Sequence, residues 1–356
     1  MVGRKTKMKN KSVKRHVVFA VAAALLLCVG ILAITLSNRG PDVERDYYEK
    51  ELAQTIQAVK RLTRGDEPCL VFPMVTDIHY LKSEEVPESF DYCIANMKAL
   101  SEELDFDFIA CLGDVVEGNM PQAVTAEQSA HIVEGFASIG VPYYPVVGNH
   151  DDNRYGPKEV FTHEQLYQNY MNTLEKENVV FDTSSMEKTN YYKDFPELKI
   201  RCIFLNANTN GAYGYSNDTC KWFKDALKTE YGVIVFTHIP PIPSQNYGHT
   251  KYGTDMGSNA IRKFCAEADN FIIMFSGHNH YDSVFTEPFL SYTMNCQKFE
   301  NENGDPALWT ENAVKPQREK GTATEDCFDI VIIHPESGRI DTVRFGAGED
   351  RTINYK

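Results

Sequence analysis

Five short polar motifs hold the side chains of this chain that are best suited to chemistry. They are Asp77-Ile78-His79, Gly113-Asp114, Gly148-Asn149-His150-Asp151, His238 and Gly277-His278-Asn279-His280. Each follows directly on a short apolar run that is typical of a buried strand. Alone, each motif is ordinary turn or capping chemistry, and a single histidine is more often structural than a ligand. Their order and their shared position after strands make the set far more specific than its members.

The donor atoms in these motifs indicate a site for two metal ions. Carboxylates, one amide oxygen and imidazoles come from seven residues: Asp77, His79, Asp114, Asn149, His238, His278 and His280. Mixed oxygen and nitrogen donors favour Mn, Fe or Zn over Ca or Mg, which prefer oxygen alone. No cysteine belongs to the set, which argues against a structural zinc site. So many ligands exceed the needs of one tetrahedral ion and fit two ions, about 3.5–4 Å apart, that share a carboxylate.

The apolar runs before the motifs predict an α/β domain built from strand–helix repeats. In the first half we predict strands at 70–75, 106–112 and 141–147, and helices at 89–104 and 122–139. In the second half we predict helices at 218–228 and 257–268, and strands at 191–195, 200–205, 233–237, 271–276, 283–287, 327–333 and 340–345. The last strands follow one another without helices, which indicates an antiparallel element. Because ligands bind beyond the carboxyl ends of the strands in such sheets, the five motifs can converge there.

The motif order D-x-H, G-D, G-N-H-D, H and G-H-x-H resembles that of the calcineurin-like metallophosphoesterase superfamily, over about Cys69 to Phe345. The resemblance implies two packed mixed β-sheets flanked by helices, a four-layer sandwich. It also implies hydrolysis of a phosphodiester or phosphomonoester by metal-bound hydroxide at a dinuclear centre. One ion would be held by Asp77, His79, Asp114 and His280. The other would be held by Asp114, Asn149, His238 and His278, with Asp114 as the bridge.

Two further roles and one subgroup follow from the same resemblance. His150 would face the substrate and assist the leaving group, and Asp151 would orient His150. Glu117 stands where purple acid phosphatases have a tyrosine ligand. The segment Gly113-Asp114-Val115-Val116-Glu117-Gly118 lacks the arginine of the Ser/Thr protein phosphatases. The resemblance therefore points to the bacterial-type group of phosphodiesterases and phosphatases.

Residues beyond the motifs offer candidates for binding the substrate. Arg154 lies four positions after His150 and could clamp a phosphate, with a solvated loop arginine as the alternative. Asn119 is a second candidate in the loop after the G-D motif. Weaker candidates from other loops are His163, Tyr247 and His249. The polar and aromatic stretch at 245–254 could form a lid.

Charge is distributed unevenly along the chain. Seven of the 36 basic residues lie within residues 1–37, which contain no acidic residue, so residues 38–356 carry 29 basic against 50 acidic residues. The formal charge of that part is −21, which argues against general binding of nucleic acid. We expect the substrate to be a phosphorylated small molecule or a phosphoester of the cell envelope.

The segment at 16–37 is apolar and long enough to cross a bilayer. All seven N-terminal cations precede it, so we expect a cytoplasmic basic tail at 1–15 and a transmembrane signal anchor at 16–37. The catalytic domain would then lie outside the cytoplasm on a single-pass membrane protein. A cleaved signal peptide, followed by secretion, is the alternative, although this apolar run is longer than a usual h-region.

The remaining chain divides into three predicted parts. Residues 38–66 are charged and helix-prone, with Leu52, Ile56, Val59 and Leu62 on one face, and are expected to form a membrane-proximal stalk. The phosphoesterase domain is expected at 67–348 and a C-terminal tail at 349–356. The alternative to an enzyme is a non-catalytic, membrane-tethered metal-binding or scaffold protein of the cell envelope.

Overall fold

A computed structural model describes residues 46–65, 67–81, 86–157, 159–184, 188–209, 212–243, 257–300 and 312–356. All of them belong to the unit Arg45–Lys356. The expected basic tail at 1–15, the transmembrane anchor at 16–37 and the possible lid at 245–254 lie outside the described residues. Within the described ranges, no helix is both long and apolar enough to cross a membrane.

Fifteen strands are found in the described part of the chain. They are β1 Leu70–Val75, β2 Ile109–Cys111, β3 Tyr143–Pro145, β4 Val180–Phe181, β5 Tyr191–Phe195, β6 Ile200–Leu205, β7 Asn208–Thr209, β8 Ala212–Tyr213, β9 Gly232–Thr237, β10 Phe271–Ser276, β11 Ser283–Phe285, β12 Ser291–Thr293, β13 Cys327–His334, β14 Arg339–Gly346 and β15 Arg351–Asn354. The α-helices are α1 Asp46–Leu62, α2 Val86–Ser101, α3 Gln122–Ala137, α4 His163–Leu166, α5 Asn217–Ala226 and α6 Ser258–Glu267. A π-helical turn at Tyr167–Met171 and short 3₁₀ turns complete the helical structure.

The strands form two mixed sheets and one small hairpin. The six-stranded sheet has the order β15-β14-β13-β1-β2-β3, and the seven-stranded sheet has the order β11-β12-β10-β9-β6-β5-β4. Strands β1 to β3 are parallel, as are β6, β9, β10 and β12, whereas the flanking strands pair antiparallel. Parallel neighbours require crossover connections, which α2, α3, α5 and α6 supply. The prediction of an α/β fold with two mixed sheets flanked by helices is confirmed.

Buried aromatic rings join the two sheets. Phe72 of β1 meets Phe236 of β9 edge-on at 5.6 Å and Phe275 of β10 at 6.3 Å. Phe108, which precedes β2, packs in the same way against Phe204 and Phe236. All of these rings are fully buried, and edge-to-face pairs contribute about 0.5–1.5 kcal/mol beyond their buried area. This aromatic layer packs one sheet against the other.

Helix α1 does not form the stalk expected at 38–66, because it packs on the six-stranded sheet. Tyr48 and Val59 are buried, and the Tyr48 ring stacks on Phe345 of β14 with centroids 6.0 Å apart. The tail expected at 349–356 is also incorrect, because β15 pairs antiparallel with β14. Thr352 of β15 donates to Asp341 Oδ1 at 2.6 Å. Both ends of the described chain are therefore parts of the domain.

Candidate metal centre

The five predicted motifs lie on loops at the carboxyl ends of β1, β2, β3, β9 and β10. The first three strands belong to one sheet and the last two to the other, so the site spans both sheets. Backbone hydrogen bonds connect these loops directly. Asp77 N donates to Gly113 O at 2.9 Å, and Gly277 N donates to His238 O at 3.0 Å. The carboxyl ends of the strands thus bring together residues that are 200 positions apart in sequence, such as Asp77 and Gly277.

Backbone strain is concentrated in these loops. Nine non-glycine residues with positive φ occur in the described chain, and five of them belong to the predicted ligand set: Asp77, His79, Asp114, His278 and His280. Residues other than glycine rarely adopt this conformation, which costs about 1–3 kcal/mol where it is held by the surroundings. The fold therefore holds these side chains in place against their local conformational preference.

Asp77, His79 and His280 form a first cluster around a buried carboxylate. Asp77 Oδ1 lies 3.3 Å from His280 Nε2 and 3.8 Å from His79 Nε2, and the two Nε2 atoms are 3.1 Å apart. Asp77 Oδ2 accepts hydrogen bonds from Thr76 Oγ1 and His278 N. Oδ1, by contrast, is buried without a hydrogen-bond partner among the described residues. Because a buried carboxylate oxygen without a hydrogen bond is costly, this atom, which faces imidazole nitrogens, fits a site for a metal cation.

Asn149, His238 and His278 form a second cluster, and Asp114 lies between the two clusters. Asp114 Oδ2 is 2.9 Å from His238 Nε2 and 3.8 Å from His79 Nε2, so one carboxylate reaches both clusters. Asn149 Oδ1 lies 3.1 Å from His238 Nε2. Donor atoms of Asp114, His238 and His278 lie within 4.8 Å of one another. The structure thus brings together all of the predicted metal ligands.

Electrostatic coupling within the two clusters is strong. Burial raises the pKa of the Asp77 carboxyl, but His280 and His238 lower it well below its usual range. Burial likewise disfavours the charged form of His238, but the carboxylates of Asp114 and Asp77 raise its pKa to about 9. Protons on the imidazoles therefore balance the carboxylates. A bound metal ion takes the place of such protons, because imidazole and carboxylate ligands bind metals in their deprotonated forms.

Asp151 does not orient His150, contrary to the sequence-based expectation. Its carboxylate accepts hydrogen bonds from the backbone N–H groups of Asp114, Val115, Val116 and Gly148, at 3.0, 2.8, 3.4 and 2.7 Å. The ring of His150 is held instead by the carbonyl oxygen of Glu117, 2.8 Å from Nδ1. Asp151 therefore joins the loop after β2 to the loop after β3, and it acts on the site through the backbone.

Glycine is required where these loops approach one another most closely. A Cβ atom on Gly148 would collide with the backbone nitrogen and the carboxylate of Asp114. A Cβ atom on Gly277 would collide with Thr76 and with the carboxylate of Asp77. These contacts explain why glycine opens the third and fifth motifs.

The predicted substrate-binding residues do not form one group in the described part of the chain. Arg154 binds the Asp152 carboxylate through Nε and Nη2 and also contacts Asn208, so its guanidinium is already held by the protein. Asn119 is exposed, in the loop after Gly118. His163 is the first residue of α4, and Tyr247 and His249 lie outside the described residues.

Three residues at the site were not predicted. Glu117 Oε2 lies 3.2 Å from His79 Nδ1, and Glu300 Oε1 lies 3.0 Å from His280 Nδ1. Tyr155 packs on the His150 ring at 4.3 Å, and its hydroxyl group lies 3.3 Å from Asn149 Nδ2. Glu117 had a sequence signal, since it follows Asp114 by three positions. Glu300 had none, because it belongs to no motif and only the fold brings it to His280.

Comparison with known proteins identifies the family. Residues 74–282, more than half of the chain, match the family described as calcineurin-like phosphoesterase. A dimetal phosphatase from Danio rerio has a similar structure, with a TM-score of 0.54 at 13% identity over 81% of this chain and 99% of its own. Weaker similarity links the chain to the protein TT1561 of Thermus thermophilus, with a TM-score of 0.43 at 10% identity over 81% of this chain and 100% of its own. YfkN from Bacillus subtilis, a calcineurin-like phosphoesterase, gives a TM-score of 0.38 at 12% identity over 81% of this chain and 90% of its own.

No curated protein matches the chain. At 13% identity, the similarity to the Danio rerio phosphatase shows the fold alone. The family match covers the motifs from Asp77 to His280, and these are the residues that the fold gathers into the two clusters. The chain therefore belongs to the calcineurin-like phosphoesterase family and is a metallophosphoesterase, a phosphoric ester hydrolase with a buried histidine–aspartate metal-binding cluster.

Proposed function

We propose that this chain hydrolyses phosphomonoesters or phosphodiesters at a two-metal centre. The first cluster and Asp114 would hold one ion, and the second cluster and Asp114 would hold the other. The observation that carries this proposal is the orphaned Asp77 Oδ1, which faces the Nε2 atoms of three histidines: His79, His238 and His280. The position of Asp114 between the clusters supports its role as a bridge.

Two divalent ions held by these residues would make hydroxide available near neutral pH and would neutralise charge on the phosphoryl oxygens. The mixed oxygen and nitrogen donors favour Mn, Fe or Zn. The protein contributes a fixed arrangement of ligands. Asp77 is held through Oδ2 by Thr76 and His278, and Asp114 Oδ1 accepts a hydrogen bond of 2.8 Å from His150 N. Ligands held in this way need little rearrangement when substrate binds.

We propose that His150 protonates the leaving oxygen. Its Nδ1 donates to the Glu117 carbonyl, and its Nε2 lies 4.0 Å from Asp114 Oδ2, so Nε2 faces the centre. Burial lowers the pKa of His150, and the neutral ring is therefore favoured before substrate binds. A phosphoryl group brings negative charge close to the ring and favours the imidazolium form. The proton on Nε2 is then placed for general-acid catalysis.

Hydrolysis assays with the full-length protein test this proposal. Metal-stripped protein would be assayed with p-nitrophenyl phosphate and bis-p-nitrophenyl phosphate, before and after addition of Mn²⁺, Zn²⁺ or Fe²⁺. We expect metal to restore turnover and His150→Ala to lower it about 10²–10⁴-fold with metal content retained. The preferred reporter would separate monoesterase from diesterase activity. Two bound ions per chain without turnover of either reporter would favour the non-catalytic scaffold function instead.

We also propose that residues 16–37 anchor the protein in the membrane with the catalytic domain outside the cytoplasm. The proposal is supported by the apolar length of this segment and by the seven cations that precede it. A phosphorylated small molecule or an envelope phosphoester would then be the accessible substrate. Carbonate washing of membranes, protease treatment of intact cells and N-terminal sequencing test the arrangement. Release of a shortened chain into the medium would identify a cleaved signal peptide.

A further inference from the structure

Two carboxylates outside the proposed ligand set face the histidines of the first cluster. Glu117 Oε2 lies 3.2 Å from His79 Nδ1, and Glu300 Oε1 lies 3.0 Å from His280 Nδ1. The opposite nitrogens of these rings, the Nε2 atoms, lie 3.1 Å apart and face Asp77. Each imidazole therefore presents Nε2 to the centre and Nδ1 to a glutamate.

The two glutamates are held in place by the surrounding chain. Lys298 Nζ lies 3.6 Å from Glu117 Oε2, and Lys315 Nζ lies 3.6 Å from Glu300 Oε2. The glutamate side chains are 25% and 19% exposed, so water screens these charges only in part. Each carboxylate thus lies between a histidine ring and a lysine ammonium group, and both contacts hold it in position.

Backbone contacts attach the segment that carries Lys298 and Glu300 to the first motif. Gln297 N donates to Thr76 O at 2.8 Å, and Lys298 N donates to Asp77 O at 3.1 Å. Buried Arg318 donates to the carbonyl oxygen of Gln297 at 2.9 Å. Glu300 is therefore placed by the same backbone that places Asp77.

The His238 ring of the second cluster has a neutral partner at Nδ1. His238 Nδ1 lies 2.8 Å from the backbone carbonyl oxygen of Leu112, which is a neutral acceptor. Asn149 supplies a neutral amide where the first cluster has the Asp77 carboxylate. Asp114 is common to both. The first cluster thus has more negative charge among its ligands, and both of its histidines have a carboxylate at Nδ1, whereas His238 has a neutral carbonyl there.

We infer that Glu117 and Glu300 are positioning residues that make the first cluster the tighter of the two metal sites, so that the ions load in order. The inference rests on the proposed ligand set. A carboxylate at Nδ1 fixes the tautomer in which Nε2 is the free donor and increases the basicity of the ring. Loss of such a partner typically weakens metal binding about 10–100-fold. Both glutamates act through a histidine and need not touch substrate.

Metal titration of the full-length protein tests the loading order without using activity. Mn²⁺ would be added to metal-stripped protein while free Mn²⁺ is counted by electron paramagnetic resonance. We expect two binding classes whose dissociation constants differ by about tenfold or more. Glu117→Gln and Glu300→Gln should each weaken the tight class about 10–100-fold and leave the weak class within about threefold. Glu117→Gln keeps the backbone carbonyl that holds His150, so only the carboxylate is tested.

Glu103→Gln is the matched control, because Glu103 also pairs with a lysine, Lys60 of helix α1, but at an exposed site. It should leave both classes unchanged. Urea unfolding of each variant separates a binding effect from a folding defect.

The inference is overturned if the wild type shows two equal classes, or if the glutamine variants weaken the second class as much as the first. A third ion that is lost in Glu300→Gln would make Glu300 a ligand, which also overturns the inference. Ordered binding of two ions without hydrolysis would refute the proposed function and leave the loading order standing.

Discussion

Arg344 Nη2 donates a hydrogen bond of 2.9 Å to Asp282 Oδ1, which ties β14 to the loop that carries His278 and His280. Arg344 Nε also binds Asp329 Oδ1 at 2.6 Å, and the arginine and both carboxylates are almost completely buried. Asp282 lies only two residues after His280. The C-terminal hairpin is therefore part of the support for the metal centre.

The first prediction concerns this buried network. Arg344→Met should lower the free energy of unfolding by about 3–5 kcal/mol, because it leaves the buried Asp329 carboxylate without its cation and leaves Asp282 with Arg351 alone. Urea unfolding measures the change. Lys60→Met is the control, since it removes an exposed pair with Glu103 and should cost less than about 1 kcal/mol. Equal stability of the two variants would show that the network contributes little.

The sequence predicted which side chains gather in the two clusters, because chemistry-bearing side chains followed recognisable strands. Asp151 was misinterpreted because its four partners are backbone N–H groups, which a residue pattern does not display. In α1 the predicted apolar face shares only Val59 with the buried residues Tyr48, Thr55 and Val59. Tyr48, four positions before Leu52, lies on the same helical face, but helical spacing cannot show that this face packs on Phe345.

Strand boundaries show the same division between local and tertiary information. β5, β6 and β10 have the predicted bounds, since each is rich in aromatic and β-branched or other apolar residues. β2 and β3 were predicted with seven residues and have three, because their sheet pairing stops where the ligand loops begin. β15 was missed because a four-residue polar edge strand has little intrinsic signal and depends on its pairing with β14.

Asp151 provides the second prediction. Asp151→Asn should lower the free energy of unfolding by about 3 kcal/mol or more, because an amide nitrogen would face backbone donors that now share a carboxylate. Metal affinity should fall together with stability, since the hydrogen bonds from the backbone to Asp151 also hold the loop that carries Asp114. Thermal unfolding and Mn²⁺ titration measure the two effects. His150→Ala is the comparison, with stability and metal retained and turnover lost. A variant with normal stability and a defect in turnover alone would instead support a direct role for Asp151 beside His150.

The third prediction concerns the bridge. Asp114→Asn should weaken both metal sites, because Oδ2 of this residue reaches His79 of the first cluster and His238 of the second. Asp77→Asn should weaken the first site far more than the second. Metal content per chain after gel filtration distinguishes the two variants. If Asp114→Asn retains two ions with unchanged affinity, the bridge assignment is wrong.

The fourth prediction is a pH dependence of stability. Burial and the nearby Arg339 lower the pKa of His334, whose Nε2 lies 3.1 Å from Arg339 Nη2. The folded state thus favours the neutral ring. The contribution of His334 to the free energy of unfolding is complete above its pKa in the unfolded state, about 6.5. This contribution is lost as the pH falls from that value towards the lower pKa of the folded state.

Between about pH 7 and pH 5, the wild type should therefore lose stability more steeply than His334→Gln. Urea midpoints at several pH values measure the slope. Parallel pH profiles for the wild type and His334→Gln would contradict the neutral state of this ring in the fold.

The fifth prediction concerns helix α1. Tyr48→Ala should lower the free energy of unfolding by about 3–5 kcal/mol, because it removes a buried ring that packs on Phe345. Leu52→Ala, at a half-buried position on the face predicted from sequence, should cost less. Denaturation followed by circular dichroism measures both variants.

Truncation extends this test to the domain boundary. A fragment that begins at Arg45 retains α1, whereas a fragment that begins at Thr63 exposes the surface that Tyr48 and Val59 cover. We therefore expect the shorter fragment to lose hydrolysis together with cooperative unfolding. That combination would identify a defect in stability and would not bear on the metal-dependent mechanism. If the shorter fragment unfolds cooperatively at the same urea concentration and hydrolyses at the same rate, α1 is a dispensable stalk after all.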